Sequence, residues 1–371
     1  MNIVYVSHYS GQGGANGELV LLIEQMKKRG HHIFVVMPNK GWLYDKLTET
    51  CECIVFPYHR WVEKKDLMVG IIKKAAKLIL NWRAAIHLYR YFKSKSIDLV
   101  HTNDSITITG AYLANLLNVP HIWHMREIFD DQFDLKHTFS ERYCSKWLQR
   151  ADTVIAISKA VEDRYNKYKN LNIVQIYDGI EMPDYSTKKD KNNCINFLFC
   201  GGTSIHKGFD DVIAIAKKMQ EEKIDFSITI ASSCDINSTL KQKLIDYKIY
   251  DKINFIGFVN NLETIRRQSD ILLMCSQKEA FGLVTVEAML SKLLVIGRNS
   301  GATSELIEHK KTGYLYNNIE ELWECISIAL NRNNEDIIEN AYKYAKDEFS
   351  IDSTANSIQQ IYERIRVNGN F

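Results

Sequence analysis

The sequence predicts an α/β protein with two doubly wound parallel sheets, one in each half of the chain. Short runs rich in β-branched and apolar residues alternate with longer helical patterns, which is typical of parallel sheets covered by helices. The alternation stops at a polar stretch near residue 184 and then starts again. The chain has 371 residues, of which 46% are hydrophobic and 25% charged, so it is globular and long enough for two domains.

The apolar runs place the strands and the domain boundaries. Strands are predicted at 3–6, 33–36, 53–56, 99–101, 121–123, 153–157, 195–200, 226–231, 253–256, 271–274 and 293–296. The early helix at 18–29 is closed by Gly30. We therefore predict a Rossmann-like domain over 1–183, a linker over 184–193 and a second Rossmann-like domain over 194–350. Ligands of such sheets bind beyond the carboxyl ends of the strands, here in a cleft between the halves.

Charge and cysteine content exclude several classes. The net charge of +2 disfavours a general nucleic-acid binder. The eight cysteines include no C-x-x-C pair and lie mostly in apolar runs, so we expect buried free thiols in a reducing cytosol. Residues 60–95 hold ten Lys and Arg against two acidic residues, with apolar residues at helical spacing. This segment is either an amphipathic helix for an anionic membrane or a helix that covers the sheet.

Two carboxylates bracket a Phe-Gly-Leu turn after the strand at 271–274. Glu279 lies in the loop, and Glu287 lies in an early turn of a helix predicted over 284–290. Gly282 permits close approach of the backbone to a ligand, and a helix N-terminus suits a diphosphate. Glu279 can accept hydrogen bonds from sugar hydroxyls, and Glu287 can accept both hydroxyls of a ribose. The alternative is two surface glutamates without a ligand.

Two glycine-rich turns also follow predicted strands. Gly201 and Gly202 let backbone N–H groups approach a phosphate, which Lys207 can neutralise; the alternative is a plain turn with an exposed lysine. The turn that contains Gly14 can bring backbone amides to the cleft. Its spacing is not G-x-G-x-x-G, and no acidic residue closes the next strand, which disfavours NAD.

A His-rich segment lies at the end of the strand at 121–123. His124 can hydrogen-bond a sugar or orient an acceptor, and Arg126 and Glu127 are candidates for acceptor contacts. Buried packing is the alternative for this cluster, and it is the interpretation that we prefer for His121.

Taken together, these features resemble the family 4 retaining glycosyltransferases of GT-B fold over nearly the whole chain. The specific block runs from Ser276 through Glu279-Ala-Phe-Gly282 to Glu287-Ala-Met289. Looser marks are the segments 13–15, 156–158, 178–180, 201–208, 257–258 and 301–305, with the strand end near 124. The GT-B fold implies two Rossmann-like domains that face each other across a cleft. The last helix, 351–366, resembles the segment that crosses back onto the first domain.

The resemblance implies roles for individual residues. Lys207 would hold the donor diphosphate, Glu279 would contact the donor sugar and Glu287 would bind the ribose. The expected catalytic residues are Glu279, His124 and Lys207. The expected donor-binding residues are Gly14, Gly201, Gly202, Lys207, Phe281, Gly282, Leu283 and Glu287. Two departures matter: the family usually has Arg where Gly202 stands, and its usual Asn-Gly pair is Asp178-Gly179 here.

The function expected from this resemblance is transfer of a sugar from a nucleoside diphosphate sugar to an acceptor hydroxyl with retention of configuration. A UDP-sugar is favoured over a GDP-sugar, and the setting is surface polysaccharide or glycolipid assembly. The acceptor is a sugar or, if 60–95 faces a membrane, a lipid-linked sugar. We expect a cytoplasmic protein, with peripheral attachment to the inner face of the cell membrane as an open possibility. Because no D-x-D occurs, we expect neither metal nor cofactor.

Three alternatives stay open. A sugar-nucleotide epimerase can share this fold, and it would epimerise the donor without an acceptor. A catalytically weak partner subunit would keep the fold and bind a true transferase, and Gly202 in place of the usual Arg favours that interpretation. A nicotinamide dehydrogenase is the third alternative, and it requires NAD(H) binding.

Overall fold

The computed structural model describes residues 1–66, 70–128, 134–182, 194–232, 236–259 and 261–368. The chain divides into two compact units, Met1–Glu181 with Phe349–Phe371 and Met182–Glu348. The linker predicted at 184–193 lies outside the described residues. Each unit contains a parallel sheet, so the predicted α/β class is confirmed.

The first unit begins with the alternation that the sequence predicts. Its elements up to residue 181 are β1 (Asn2–Val6), α1 (Gly14–Lys28), β2 (His32–Met37), α2 (Trp42–Leu47), β3 (Glu52–Val55), β4 (Val62–Lys64), α3 (Ile71–Phe92), β5 (Leu99–Thr102), α4 (Thr109–Leu117), β6 (His121–Met125), β7 (Leu135–His137), α5 (Glu141–Leu148), β8 (Thr153–Ala156), α6 (Lys159–Tyr165) and β9 (Ile173–Gln175).

The second unit repeats the pattern, and the last helix of the chain returns to the first unit. The elements of the second unit are β10 (Ile195–Phe199), α7 (Phe209–Glu221), β11 (Phe226–Ala231), α8 (Ser238–Asp246), β12 (Ile253–Gly257), α9 (Glu263–Gln268), β13 (Ile271–Met274), α10 (Leu283–Leu290), β14 (Leu294–Arg298), α11 (Thr303–Leu306), β15 (Tyr314–Tyr316), α12 (Ile319–Asn331) and α13 (Glu335–Glu348). The returning helix is α14 (Ile351–Asn368), and short 3-10 turns occupy Ile205–Lys207 and Tyr250–Lys252.

The sheet of the first unit has the strand order β3-β2-β1-β5-β6-β8-β9, and its strands pair in parallel. Successive side chains of a strand point to opposite faces. In β1, Ile3 and Tyr5 pack in the core that includes α1 and α14, whereas Val4 and Val6 pack in the core that includes α3 and α4. Both faces are therefore covered, which explains why the strand reads as a continuous apolar run.

The second sheet has the order β12-β11-β10-β13-β14-β15, again with parallel pairing. One of its faces packs in a core with side chains of α7 and α12. The loops that follow β10 and β13, neighbours in the sheet, therefore meet at one edge, because the carboxyl ends of parallel strands share an edge.

Helix α14 packs on α1 and inserts Tyr362 into the core of the first unit. The Tyr362 hydroxyl lies 2.8 Å from the Tyr5 hydroxyl and 2.7 Å from His101 Nδ1. Where the chain enters this helix, Ile180 N donates to the Phe349 carbonyl at 2.8 Å. The helix is thus fixed to the first unit at its entry and along its length.

The basic segment 60–95 is not one helix. Residues Val62–Lys64 form a strand that pairs with β7, and α3 begins only at Ile71. Leu67, one of the apolar residues at helical spacing, lies outside the described residues. The second half of α3 packs on the sheet, with four buried apolar residues, Ala84, Ala85, Leu88 and Phe92. Its first half leaves Ile71, Ile72, Ile79 and Leu80 exposed. The second half therefore covers the sheet, and contact of the first half with a membrane stays a prediction.

Seven cysteines fall within the described residues, and all seven are free thiols. Cys144, Cys275 and Cys325 are buried, whereas Cys51, Cys53, Cys194 and Cys200 are only partly buried, which corrects the expectation of general burial. None of the described helices combines the length and apolar character that crossing a membrane requires.

Candidate active site

Glu279 lies in the loop between β13 and α10, and a neighbouring loop fixes its backbone. Ala302 N donates to the Glu279 carbonyl at 3.0 Å. Gly301 has φ +54°, and a Cβ there would lie 2.7 Å from that carbonyl oxygen, so glycine is required for this close packing. The Glu279 side chain is 16% exposed and accepts a hydrogen bond from Lys207 Nζ at 3.0 Å. The structure therefore brings together two of the predicted site residues.

Gly282 ends this loop and precedes the first turn of α10. Its φ of +95° lies in the left-handed region, which favours glycine. Phe281 is buried and anchors the loop, and Leu283 begins the helix. The first N–H groups of a helix lack intrahelical partners and carry a partial positive charge, so this end can bind an anion. A Cβ on Gly282 would lie 3.3 Å from Glu279 Cγ, which places the helix start beside the Lys207–Glu279 pair.

Glu287, farther along α10, forms an ion pair with Arg266 of α9. Arg266 Nη1 donates to Glu287 Oε2 at 2.8 Å, and Arg266 Nε donates to Ser291 Oγ at 3.1 Å. Burial raises the pKa of Glu287, and the guanidinium opposes that rise. Arg266 was not predicted from the sequence, because it stands on a different helix with no motif around it.

The two glycines that follow β10 have different surroundings. A Cβ at Gly201 would lie 2.8 Å from Phe199 Cζ and 3.3 Å from Lys207 Cβ, so the loop passes the lysine closely. A Cβ at Gly202 would have Ser232 Oγ at 3.6 Å as its nearest neighbour, which is ordinary contact. Glycine is therefore sterically required at 201, whereas position 202 has room for a side chain.

In the first unit, His124 lies on β6 and is fully buried. Its Nδ1 lies 3.2 Å from His101 Nε2, and its Nε2 lies 4.0 Å from Asp178 Oδ1 without a hydrogen-bond partner among the described residues. Burial, and then the charge of Arg126, holds the pKa of His124 well below its ordinary value, so the ring is neutral. The structure does not bring His124 together with Glu279 and Lys207 in one unit, and its role beside the transferred sugar stays a prediction.

Arg126 and Asp178 form a buried ion pair next to this histidine. Arg126 Nη1 donates to Asp178 Oδ1 at 2.5 Å, and Arg126 Nε donates to Asn103 Oδ1 at 3.0 Å. Burial raises the pKa of Asp178, and Arg126 opposes the rise. The next residue, Gly179, is also constrained, because a Cβ there would lie 2.5 Å from Ile351 Cα.

Glu127 has other partners than Arg126 and belongs to a different cluster. Ser105 Oγ donates to Glu127 Oε2 at 3.2 Å, and His8 forms a short ion pair with Asp104 nearby. Burial, followed by the charge of Asp104, raises the pKa of Glu127 to about 7. His8 and Asp104 were not predicted from the sequence, although each follows a predicted strand.

Gly14 begins α1 and is exposed. The neighbouring Ala15 carbonyl accepts a hydrogen bond from Asn103 Nδ2 at 3.1 Å, which ties this turn to the loop after β5. Among the residues that the structure describes, no group of three or more His, Cys, Asp or Glu side chains could hold a metal ion. The expectations of no metal and no cofactor stay predictions.

Each half of the chain matches the model of a known protein family. The family model described as Glycosyltransferase Family 4 matches residues 12–182, and the one described as Glycosyl transferases group 1 matches residues 183–344. An uncharacterized glycosyltransferase of Haemophilus influenzae is 24% identical over 88% of this chain and 89% of its own length. A lipopolysaccharide core biosynthesis mannosyltransferase of Rhizobium leguminosarum is 23% identical over 77% of this chain and 84% of its own.

The solved structures show the same fold. The Anabaena protein HepE, crystallised in complex with UDP, superposes with a TM-score of 0.79 over 98% of this chain and 100% of its own, at 18% identity. The helix start in the second unit, with the carboxylate–lysine pair beside it, can bind an anion. The chain belongs to glycosyltransferase family 4, has the GT-B fold and is a glycosyltransferase. The family and fold predicted from the sequence are confirmed, and the roles of individual residues stay predictions.

Proposed function

We propose that this glycosyltransferase moves a sugar from a UDP-sugar to an acceptor hydroxyl with retention of configuration, in surface polysaccharide or glycolipid assembly. The observation that carries the proposal is the Lys207–Glu279 ion pair beside the start of α10, where a Cβ on Gly282 would lie 3.3 Å from Glu279 Cγ. A cation, a helix N-terminus and a carboxylate then lie within one small region. The names of the relatives in lipopolysaccharide core synthesis support the setting.

The chemistry follows from the charges that develop during transfer. The difficult step is departure of the nucleoside diphosphate from an oxocarbenium-like carbon, which places negative charge on the leaving phosphate. Lys207 and the amides at the start of α10 stabilise that charge. Glu279 accepts hydrogen bonds from the sugar hydroxyls, and Glu287 accepts the ribose hydroxyls. Donor binding must first loosen the ion pairs that Lys207 and Arg266 make with these carboxylates.

The donor is identified by a thermal-shift screen against UDP-, GDP-, ADP- and dTDP-sugars. A true donor at 100 times its Kd stabilises the protein by about 2.7 kcal/mol. A proton NMR spectrum of the first product distinguishes retention from inversion at the anomeric carbon. No shift with any donor, or an inverted product, contradicts the proposal.

The two carboxylates should respond differently to substitution. Glu287→Ala should mainly weaken donor binding, and Glu279→Ala should mainly reduce turnover, because one holds the nucleotide and the other the reacting sugar. Glu324→Ala, at an exposed position on α12, is the matched control. Calorimetric Kd values for UDP and initial transfer rates separate the two effects. If both substitutions had small and equal effects, the proposal that these two carboxylates bind the donor would be contradicted.

A catalytically weak partner subunit is the second candidate, and Gly202 favours it. The Arg that the family usually has there would supply a second cation for the leaving phosphate. Assays of donor binding, transfer and donor hydrolysis with the isolated chain distinguish the two functions. Tight donor binding without transfer or hydrolysis of any donor would favour the subunit.

We also propose that the first half of α3 binds an anionic membrane surface on the cytoplasmic side, which would bring the enzyme to a lipid-linked acceptor. Ile71 and Ile72 are 86% exposed, and Lys73 and Lys74 follow them directly. Exposed apolar side chains beside lysines match the acyl boundary and the head groups of an anionic bilayer.

The membrane proposal is tested by flotation with vesicles that contain anionic lipid. Binding should fall with added salt and should be lost in the double variants Ile71→Ser/Ile72→Ser and Lys73→Gln/Lys74→Gln. Lys310→Gln/Lys311→Gln in the second unit is the control for loss of charge alone. Flotation that survives both α3 variants would exclude this surface.

A further inference from the structure

The first sheet has a switch point between β1 and β5. The helix after β1 packs in the core on one face, with Leu19 and Ile23, whereas the helix after β5 packs in the core on the other face, with Leu113 and Ala114. Loops that diverge to opposite faces leave a crevice at the carboxyl ends of the two strands, and ligands of open α/β sheets bind there.

Ionisable side chains meet at this switch point. His8 follows β1 and Asp104 follows β5, and the two form a short ion pair. Asp104 Oδ1 also accepts hydrogen bonds from Ile106 N at 2.8 Å and Thr107 N at 3.2 Å. Burial acts to raise the pKa of Asp104, but His8 and the backbone amides outweigh it, and the pKa lies below its ordinary value. The loop after β5 therefore presents a fixed negative charge.

Glu127, from the end of β6, lies beside this charge. It is 8% exposed and accepts a hydrogen bond from Ser105 Oγ at 3.2 Å. Burial and Asp104 act to raise its pKa, and His8 and Ser105 oppose them. Other titratable groups near the cluster are Tyr165 on α6, Tyr9, and Arg60, which acts on His8 and Tyr9.

The neighbouring Arg126 does not contact this cluster through these bonds, because its guanidinium donates hydrogen bonds to Asp178 and Asn103. Glu127 has only the Ser105 hydroxyl as a side-chain partner among the hydrogen bonds of the described residues, and the partly buried His8 and Tyr9 connect its cluster to the surface. Among the residues that the structure describes, Glu127 is therefore the one of the two predicted acceptor contacts whose carboxylate has acceptor capacity left.

We propose that Glu127 accepts a hydrogen bond from the attacking hydroxyl of a neutral sugar or polyol acceptor, and that the His8–Asp104 pair positions and tunes it. A carboxylate orients a hydroxyl by accepting a hydrogen bond from it. The same negative charge repels an acceptor that carries a carboxylate at this place. The proposal rests on the proposed glycosyltransferase function and adds the chemical class of the acceptor at its reacting end.

The first test is Glu127→Gln, which keeps the shape of the side chain and removes its charge. A lost hydrogen bond to a charged group lowers kcat/KM for the acceptor by about 10- to 100-fold. The Kd for UDP should stay within twofold, because Lys207, Glu279 and Glu287 lie in the other unit. An unchanged kcat/KM for the acceptor in an active enzyme would overturn this inference. Failure of the wild-type chain to bind or use any donor would instead overturn the proposed function.

The second test uses pH, which separates tuning from simple packing. An ionised Glu127 accepts a stronger hydrogen bond than the protonated acid does, so kcat/KM for the acceptor falls as the pH drops through its pKa of about 7. Asp104→Asn removes a negative neighbour and should shift this acidic limb to lower pH. His8→Asn removes a positive neighbour while the backbone amides keep Asp104 ionised, and it should shift the limb to higher pH.

The controls keep this test decisive. Asp225→Asn removes a carboxylate that pairs with Lys252 in the second unit, and it should leave the acidic limb unmoved. If Asp104→Asn fails to fold, as thermal unfolding would show, His8→Asn carries the test together with Glu127→Gln, in which the limb should disappear. A limb that persists in Glu127→Gln, or that moves in the same direction in both charge variants, would overturn the proposal.

Discussion

Gly202→Arg should strengthen binding of the donor diphosphate. A Cβ at this position meets Ser232 Oγ only at 3.6 Å, and the backbone lies outside the left-handed region, so a side chain is accommodated without strain. The adjacent Gly201 abuts Lys207 Cβ, with 3.3 Å between that atom and an added Cβ. An arginine at 202 therefore starts close to the cation that is proposed to hold the phosphate.

The size of the effect follows from the charges. A guanidinium 4 Å from a phosphate oxygen, at an effective dielectric constant of about 20, is attracted by about 4 kcal/mol before desolvation and ordering are subtracted. The net value of a hydrogen bond to a charged group is about 1.5–3 kcal/mol, or about 10- to 150-fold in Kd. Because Lys207 is 42% exposed, solvent screening favours the lower end, so we expect UDP to bind about tenfold more tightly.

Calorimetric titration of UDP into the wild type, Gly202→Ala, Gly202→Gln and Gly202→Arg measures this gain. The alanine and glutamine variants control for backbone stiffening and for side-chain length. Uridine, which lacks phosphates, should bind all four proteins alike. The reasoning is refuted if folded Gly202→Arg binds UDP no more tightly than Gly202→Gln, or if uridine gains as much as UDP.

Three further predictions concern stability. Gly201→Ala should lower the free energy of unfolding by about 1–3 kcal/mol in urea, because its Cβ would lie 2.8 Å from the Phe199 ring; an unchanged value would contradict this. Thr285→Val should stabilise the ligand-free protein by about 1 kcal/mol, since Thr285 Oγ1 is buried without a partner among the described residues, and a loss of stability would argue against it. Burial lowers the pKa of His121 to about 3, so the unfolded chain binds the extra proton between about pH 6.5 and 3. Stability should fall by about 1.4 kcal/mol per pH unit on acidification through that window, and His121→Gln should remove this part of the slope.

The sequence predicted the central strands because they are buried on both faces and read as long apolar runs. It missed β4, β7, β9 and β15, each of which has three residues. Such runs are too short to show a period of two, and they form only because a partner strand supplies the hydrogen bonds. The start of the basic segment 60–95 is not helical for a related reason, because it contacts distant parts of the chain. The indole Nε1 of Trp61 donates to the Ser105 carbonyl at 2.7 Å, 44 residues away.

In the donor site, too, the sequence predicted the local features and missed the contacts between distant residues. Motifs within one loop, such as the turn at Gly282, can be predicted from the sequence because the signals for glycine turns and helix starts are local. The pairing of Lys207 with Glu279 spans 72 residues, and the pairing of Arg266 with Glu287 spans 21, so each depends on how separate loops meet at the sheet edge. Sequence reasoning identified three of these four side chains but neither pair.

The residues at the end of β6 show why neighbouring positions can have different surroundings in the fold. The period of two in β6 places Ile122 and His124 on one face and Trp123 and Met125 on the other, and Arg126 and Glu127 follow the strand. The first face is closed by α14, whose Tyr362 reaches His101 across 261 residues and completes a polar network around His124. The second face borders the switch point, where Asp104 and His8 collect. The alternation could be read from the sequence, but only the return of the last helix decides which face is closed. The same packing that encloses His124 therefore leaves Glu127 in a separate cluster, where it is proposed to contact the acceptor.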